Sequence, residues 1–228
     1  METIRRAVLL LSLALGAPLS QASEVAPDAL LSAVTSEVIA VLKQGKEQAE
    51  TPAKLADLVE TKVLPLFNFF RMTQLAMARN WRLATREQQN VLTAEFRTLL
   101  VRTYSAALLN YRDRMIGYKR LRTAPGDTEV TVRSDVNQGA ERFRIDYDME
   151  QTPQGWKVYD IKLDGVSLVT SYREGFAARV RDIGVDGLIK SLSEKNRQND
   201  LVSKPLSPSE EKARLLDDVM RSALQAGG

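Results

Sequence analysis

Residues 156–176 read WKVYDIKLDGVSLVTSYREGF, and the way this stretch changes character sets the fold class. Through Leu163 it carries the aromatic and β-branched residues of a strand. Asp164-Gly165 is a turn signal. GVSLV at 165–169 is apolar again, and the segment ends with a helical pattern. A strand that enters a helix through so apolar a junction, with the acid Asp160 inside it, fits three readings. It is a catalytic carboxylate, an ordinary core, or a wall for an apolar ligand.

Working backwards, three further segments have period two. GYKRLRT (117–123), TEVTVRSDV (128–136) and ERFRIDYDME (141–150) are joined to one another and to 156–163 by turn-forming residues such as APGD and TPQG. Val130, Val132 and Val136 share one face with Ser134. In the third segment Phe143, Ile145, Tyr147 and Met149 face one way, and Arg142, Arg144, Asp146 and Asp148 the other. The expectation is four antiparallel strands with one apolar and one charged face, covered by helices on the apolar face only.

Helical periods flank these strands. Leu30, Leu31, Val34, Val38, Ile39 and Leu42 form one stripe over 27–46, with Pro27 at the first position. Thr51 caps a second helix that Pro65 ends, and a short third covers 69–80. Thr85-x-x-Gln88 is a capping box opening a long helix with Val91, Leu92, Phe96, Leu99, Leu100, Tyr104, Leu108 and Tyr111 on one wide face. After the strands, helices are expected at 167–181 and, beyond DIGVDG, at 186–195. Residues 196–208 are polar and proline-broken. A second box, Ser207-Pro208-Ser209-Glu210, starts a last amphipathic helix with Leu215, Leu216, Val219, Met220 and Leu224 on its stripe.

Composition narrows function. The 228 residues are 44% hydrophobic and 27% charged, enough for one domain with a true core. Arg5 and Arg6, the apolar run AVLLLSLALGAPLS and the small residues of SQA at 20–22 read as a signal peptide over 1–22. Export to the periplasm is expected. No second apolar run is long enough to span a bilayer. The formal net charge of +3 is near balance and there is no dense basic run, which argues against nucleic acid. With no cysteine there is no disulfide. With no histidine either, the usual nucleophile pairs and transition-metal sites are gone.

Two chemical motifs remain. Asp160 and Asp164 can share a strand face, but residues four apart along a strand sit about 13 Å apart, against the roughly 5–5.5 Å of a retaining-glycosidase pair. Asp160 reads better as a partner of backbone, and Asp164-Gly165 as the turn into the helix. Ser209-x-x-Lys212 matches a nucleophile pattern on a charged helix face, where the lysine has no desolvated site to act as base. The apolar helix face, the apolar sheet face and the junction serve equally as a packed core or as a cavity.

YDIKLDGVSLVTSYREGF followed by RDIGVDGLIKSL, and QQNVLTAEFRTLLVRTYSAALLNY upstream, together resemble the MlaC family, also called the toluene-tolerance or Ttg2 auxiliary family. The resemblance covers about 25–196. It implies an α+β fold in which a twisted four-stranded antiparallel sheet and helices enclose a deep apolar pocket. It implies a non-enzymatic periplasmic carrier of glycerophospholipid. Such a carrier works between an outer-membrane lipoprotein–porin complex and the MCE-domain subunit of an inner-membrane ABC transporter, maintaining outer-membrane lipid asymmetry. No cofactor is implied beyond the lipid cargo.

The domains expected are a leader at 1–22, a phospholipid-binding domain at 23–196, and a polar linker with an amphipathic helix at 197–228. Val166, the valine of the family's GVS motif, is the first candidate for a tail contact. Leu163, Leu168, Val169, Phe143, Ile145, Tyr147, Phe96, Leu100 and Tyr104 are further lining candidates. Asp160, the acid of the YD pair, reads as a buttress. The alternatives are an adaptor or chaperone-like module that binds apolar protein segments, and a carboxylate hydrolase.

Overall fold

The computed structural model describes residues 25–44, 57–109, 115–122, 124, 126–138 and 141–198. The leader expected at 1–22, the cap expected at Thr51 and the last amphipathic helix expected near the C-terminus lie outside them. Helix α1 (Pro27–Gln44) comes first. A π-helical turn at Val59–Val63 runs into a 3-10 turn at Leu64–Leu66. Helix α2 (Phe69–Met77) follows, then a 3-10 segment (Ala78–Leu83) and helix α3 (Arg86–Leu109). The strands are β1 (Met115–Tyr118), β2 (Glu129–Gln138), β3 (Glu141–Thr152), β4 (Gly155–Leu163) and β5 (Val166–Ser167). Helix α4 (Arg173–Gln198) closes the described chain and runs past the boundary expected after residue 196.

The capping box is present as read. The Thr85 N–H donates to Gln88 Oε1 at 2.9 Å, and the Gln88 N–H donates to Thr85 Oγ1 at 3.2 Å. Each closes a backbone or side-chain valence that the first turn of α3 leaves open. DIGVDG separates two helical arms of α4, as expected: Gly184, at φ 73 and ψ -179, leaves helical geometry and puts a kink between them. Near the end of α4, the Asn196 side chain donates to Glu95 Oε2 at 2.6 Å and Arg102 donates to the Asn196 carbonyl, pinning α4 along α3.

The sheet is an antiparallel meander in the order β1-β2-β3-β4-β5, so it has five strands where four were expected. The fifth has only two residues, too short for an alternating pattern to register. Asp164 and Gly165 both have positive φ (48 and 89), the conformation an Asp-Gly pair favours in a tight hairpin. The turn therefore leads into β5, not directly into a helix. Asp164 Oδ1 also accepts from the Arg144 N–H at 2.8 Å, locking the turn to β3. The remaining outer edge of β4 is covered too. The Asn68 N–H bonds the Val158 carbonyl at 2.8 Å and the Leu168 N–H bonds the Ile161 carbonyl at 2.8 Å.

The acid in the strand is explained by a β-bulge. Asp148 pairs with Asp160 and Met149 with Val158, so the register skips Tyr159. Before the bulge Trp156 and Val158 belong to the apolar face; after it Ile161 and Leu163 do, opposite Tyr147 and Ile145. One extra residue thus turns Asp160 away from the apolar face. It also brings the Tyr159 ring under the Arg71 guanidinium, 3.7 Å from the ring centroid. Arg71 in turn pairs with Glu129 and Glu150 and holds α2 to the sheet.

Asp160 is 3% exposed. Its Oδ1 accepts from the Val169 N–H at 3.3 Å, which fixes the junction between β5 and the following turn to β4. Burial, helped by the facing Asp148, pushes its carboxyl above the ordinary 3.8. The Ser167 side chain and the N–H groups of Val169 and Ile161 draw it part of the way back. Lys162 Nζ sits 2.6 Å from Asp148 on the same face. The folded chain therefore keeps the Asp160 proton to higher pH than the unfolded chain does. Stability from this group is complete below about 3.8 and is lost as pH rises through the raised value.

Two outcomes are expected in urea unfolding. Thr85→Ala lowers stability by about 1 kcal/mol with an unchanged denaturant slope. Wild type loses stability relative to Asp160→Asn as pH rises from about 4 towards 7. Parallel pH curves for the two proteins would contradict the burial of an ionisable Asp160.

Candidate functional site

The apolar side chains of the described residues do not merge into one core. One cluster fills the helical layer, where Phe96, Leu92 and Leu99 on α3 meet Met77, Val169, Tyr172, Phe176 and Leu188. Phe96 is fully buried, edge-on to Tyr172 and Phe176 at 5.1 and 5.3 Å between centroids. A second cluster joins Leu31 of α1 to Val132, Met149, Trp156 and Val158 on the sheet. A third holds Val136, Phe143, Ile145 and Leu163 at the other end of the same face. Each fully buried large side chain contributes about 1.5–3 kcal/mol, so each cluster stabilises its own layer.

Between the layers lies a hollow. Its walls are α1 (Leu31, Val34, Thr35, Val38, Ile39), the 59–67 segment (Val63, Leu66, Phe67), Tyr104 of α3, and Ile116, Tyr118, Ile145, Tyr147, Ile161, Leu163 and Leu168 from the sheet side. The cavity has a volume of about 200 Å³. A second hollow of about 130 Å³ lies under α2 and α3, bounded by residues including Val59, Phe69, Met72, Leu100 and Val101. Val63, Phe67, Tyr104, Ile161 and Leu168 line both, so the two share a wall. The lining is almost wholly hydrocarbon.

Its hydroxyl groups come from threonine and tyrosine. Thr35 Oγ1 and the Tyr118 hydroxyl are 2.7 Å apart and tie α1 to β1. The α1 helix is held again where Asp28 Oδ2 accepts from the Leu121 N–H at 3.0 Å. Burial pushes the Tyr118 phenol up, against the pull of its bonds to Thr35 and Tyr147. Among the described residues no group of three or more acidic, histidine or cysteine side chains is placed to hold a metal ion. Asp160 and Asp164 are each engaged by a backbone N–H, from Val169 and Arg144 respectively. No described helix is long and apolar enough to cross a membrane.

The residues singled out from sequence divide. Leu163, Leu168, Ile145, Tyr147 and Tyr104 line the first hollow; Leu100, with Leu168 and Tyr104, lines the second. Phe96 and Val169 sit in the packed helical cluster, both fully buried, and line neither hollow. Phe143 packs against Val136 at the end of the sheet. Val166 is half-buried in β5 and outside both linings, but it pairs with Leu163 and so shares Leu163's face of the sheet. Sequence reasoning missed the α1 wall, the segment around Phe67, and Ile161. The α1 stripe was visible, but a stripe does not tell which layer it faces or how far away that layer stands.

Comparisons with known proteins agree with this geometry. The family described as MlaC protein matches residues 32–194. The toluene tolerance protein ttg2D of Pseudomonas putida is 26% identical over 186 residues, which cover 80% of this chain and 85% of that protein. A phospholipid-binding protein from Ralstonia solanacearum, solved in complex with a phospholipid, superposes with a TM-score of 0.67 at 39% identity. The match covers 76% of this chain and 98% of that one. On the extent of the family match, this chain belongs to the MlaC family.

Proposed function

We propose that this protein is a periplasmic phospholipid carrier. It holds the acyl chains of a glycerophospholipid in the paired hollows and leaves the headgroup at the mouth. In this reading it moves lipid between an outer-membrane lipoprotein–porin complex and the MCE-domain subunit of an inner-membrane ABC transporter, and so maintains outer-membrane lipid asymmetry. The observation that carries the proposal is the hydrocarbon-lined space between two separately packed layers. The phospholipid complex of the Ralstonia relative supports the choice of ligand.

Tail contacts are assigned to Leu163, Leu168, Ile145, Tyr147, Leu100 and Tyr104, and beside them to Val38, Phe67 and Ile161. Val166 is assigned to the rim, where its pairing with Leu163 presents it to the cargo as it leaves the hollow. Phe96, Val169 and Phe143 back the walls from behind. Two hollows with a common wall suit two tails that diverge from one glycerol. No bond is made or broken. Lipid exchanges between environments of similar polarity, which requires neither a nucleophile nor a metal.

Protein purified from the periplasm is expected to carry phospholipid, detected by extraction and mass spectrometry, and to take up more from vesicles. Ile161→Glu places a charge in the shared wall and is expected to lower occupancy at least about tenfold with the circular dichroism spectrum retained. Val166→Glu is expected to have a smaller effect. No bound lipid and no uptake by wild type would overturn the proposal, and binding of unfolded apolar peptides instead would favour the adaptor reading.

A further inference from the structure

A hydroxyl group in a hydrocarbon wall needs a reason, because burying it without a partner costs free energy. Three of them occur together on the wall of the larger hollow, on Thr35, Tyr118 and Tyr147. Tyr118 and Thr35 share a bond at 2.7 Å, and the Tyr118 and Tyr147 rings lie 6.2 Å apart. The bonded pair therefore joins α1 to β1. Two hydroxyls carry two hydrogens, and their bond uses one of them. The pair can donate outward without breaking that bond.

The position of the pair matters as much as its chemistry. The Tyr118 ring lies beside that of Tyr147, which stands opposite Ile161 in the β3–β4 register. Ile161 belongs to the wall common to the two hollows. A two-tailed lipid with one chain in each hollow has its tails diverging there. The groups beside that divergence are the two linkages to glycerol. In a diacyl lipid each linkage offers a carbonyl oxygen, a good acceptor. In a dialkyl lipid it offers only an ether oxygen, a poor one.

We infer that the Thr35–Tyr118 hydroxyl pair is a subsite for an ester carbonyl of the cargo, so that this carrier distinguishes acyl-ester from alkyl-ether lipids of the same headgroup and chain length. The inference rests on the carrier reading above and adds to it a chemical basis for selection inside an otherwise unselective cavity. The Thr35–Tyr118 bond then has two roles, fastening α1 over the hollow and orienting a donor at its wall.

The test is internally normalised. Full-length protein is equilibrated with vesicles that contain dioleoyl phosphatidylcholine and its dialkyl ether analogue in equal amounts, then re-isolated, and the two retained lipids are quantified by mass spectrometry. Wild type is expected to retain the ester lipid about fivefold over the ether, the size of one net hydrogen bond. Tyr118→Phe, which removes one hydroxyl of the pair and keeps the ring, is expected to bring the ratio close to one. Thr35→Val is expected to lower the ratio, and Thr35→Ser to keep it at the wild-type value. Because only the ratio is read, a change in total occupancy or in stability does not disturb the result. A wild-type ratio near one with both lipids bound overturns the inference and leaves the carrier reading intact, as does a ratio that neither Tyr118→Phe nor Thr35→Val changes. Retention of neither lipid overturns both.

Discussion

Apolar surfaces that face each other across water tend to close, and this structure depends on two of them staying apart. The helical layer and the sheet each bury a cluster of their own. Bulky side chains stand between them. Phe67 and Tyr104 pack against the helical cluster, and Phe67, Tyr147 and Ile161 against the sheet clusters. All four also line the larger hollow. They act as spacers whose size prevents collapse and whose chemistry keeps the space apolar.

On the proposed function, the same constraint sets the energetics of carriage. A two-chain lipid exposes roughly 30 methylenes at about 0.8 kcal/mol each, on the order of 24 kcal/mol if it crosses water bare. A wall as apolar as the bilayer interior makes transfer between membrane and protein close to neutral, so cargo is neither stranded nor held too tightly. The fittings around the hollow serve this purpose. The bulge at Tyr159 removes Asp160 from the apolar face, and the Asp160–Val169 bond sets the chain leaving β5 where Leu168 reaches both hollows.

Much of the fold was legible because it is written in local patterns. The Thr85–Gln88 box, the α1 stripe and the alternation of Phe143, Ile145, Tyr147 and Met149 each encode one element and one face. Features that depend on a neighbour were not legible. The two residues of β5 become a strand only by pairing with Lys162 and Leu163. The bulge shows itself only when Asp148 and Met149 are matched against β4. The site divided for the same reason. Phe96 and Tyr104 share the apolar face of one helix, yet Phe96 meets Tyr172 and Phe176 while Tyr104, at the edge of the same cluster, lines both hollows. Periodicity states that a face is apolar; the distance to the opposite layer decides whether that face becomes packing or cavity wall.

The most direct measurement is cross-linking from inside the hollow. Full-length protein is loaded with phosphatidylcholine bearing a diazirine midway along one acyl chain, irradiated, digested and mapped by mass spectrometry. Adducts are expected on peptides that contain Val38, Tyr104, Ile161 or Leu168, on both sides of the gap between the layers. Adducts confined to the outer face of the sheet or to the exposed bend around Ile183, or none above those of a lipid-free control, would contradict the existence of a space that substitutes for membrane interior.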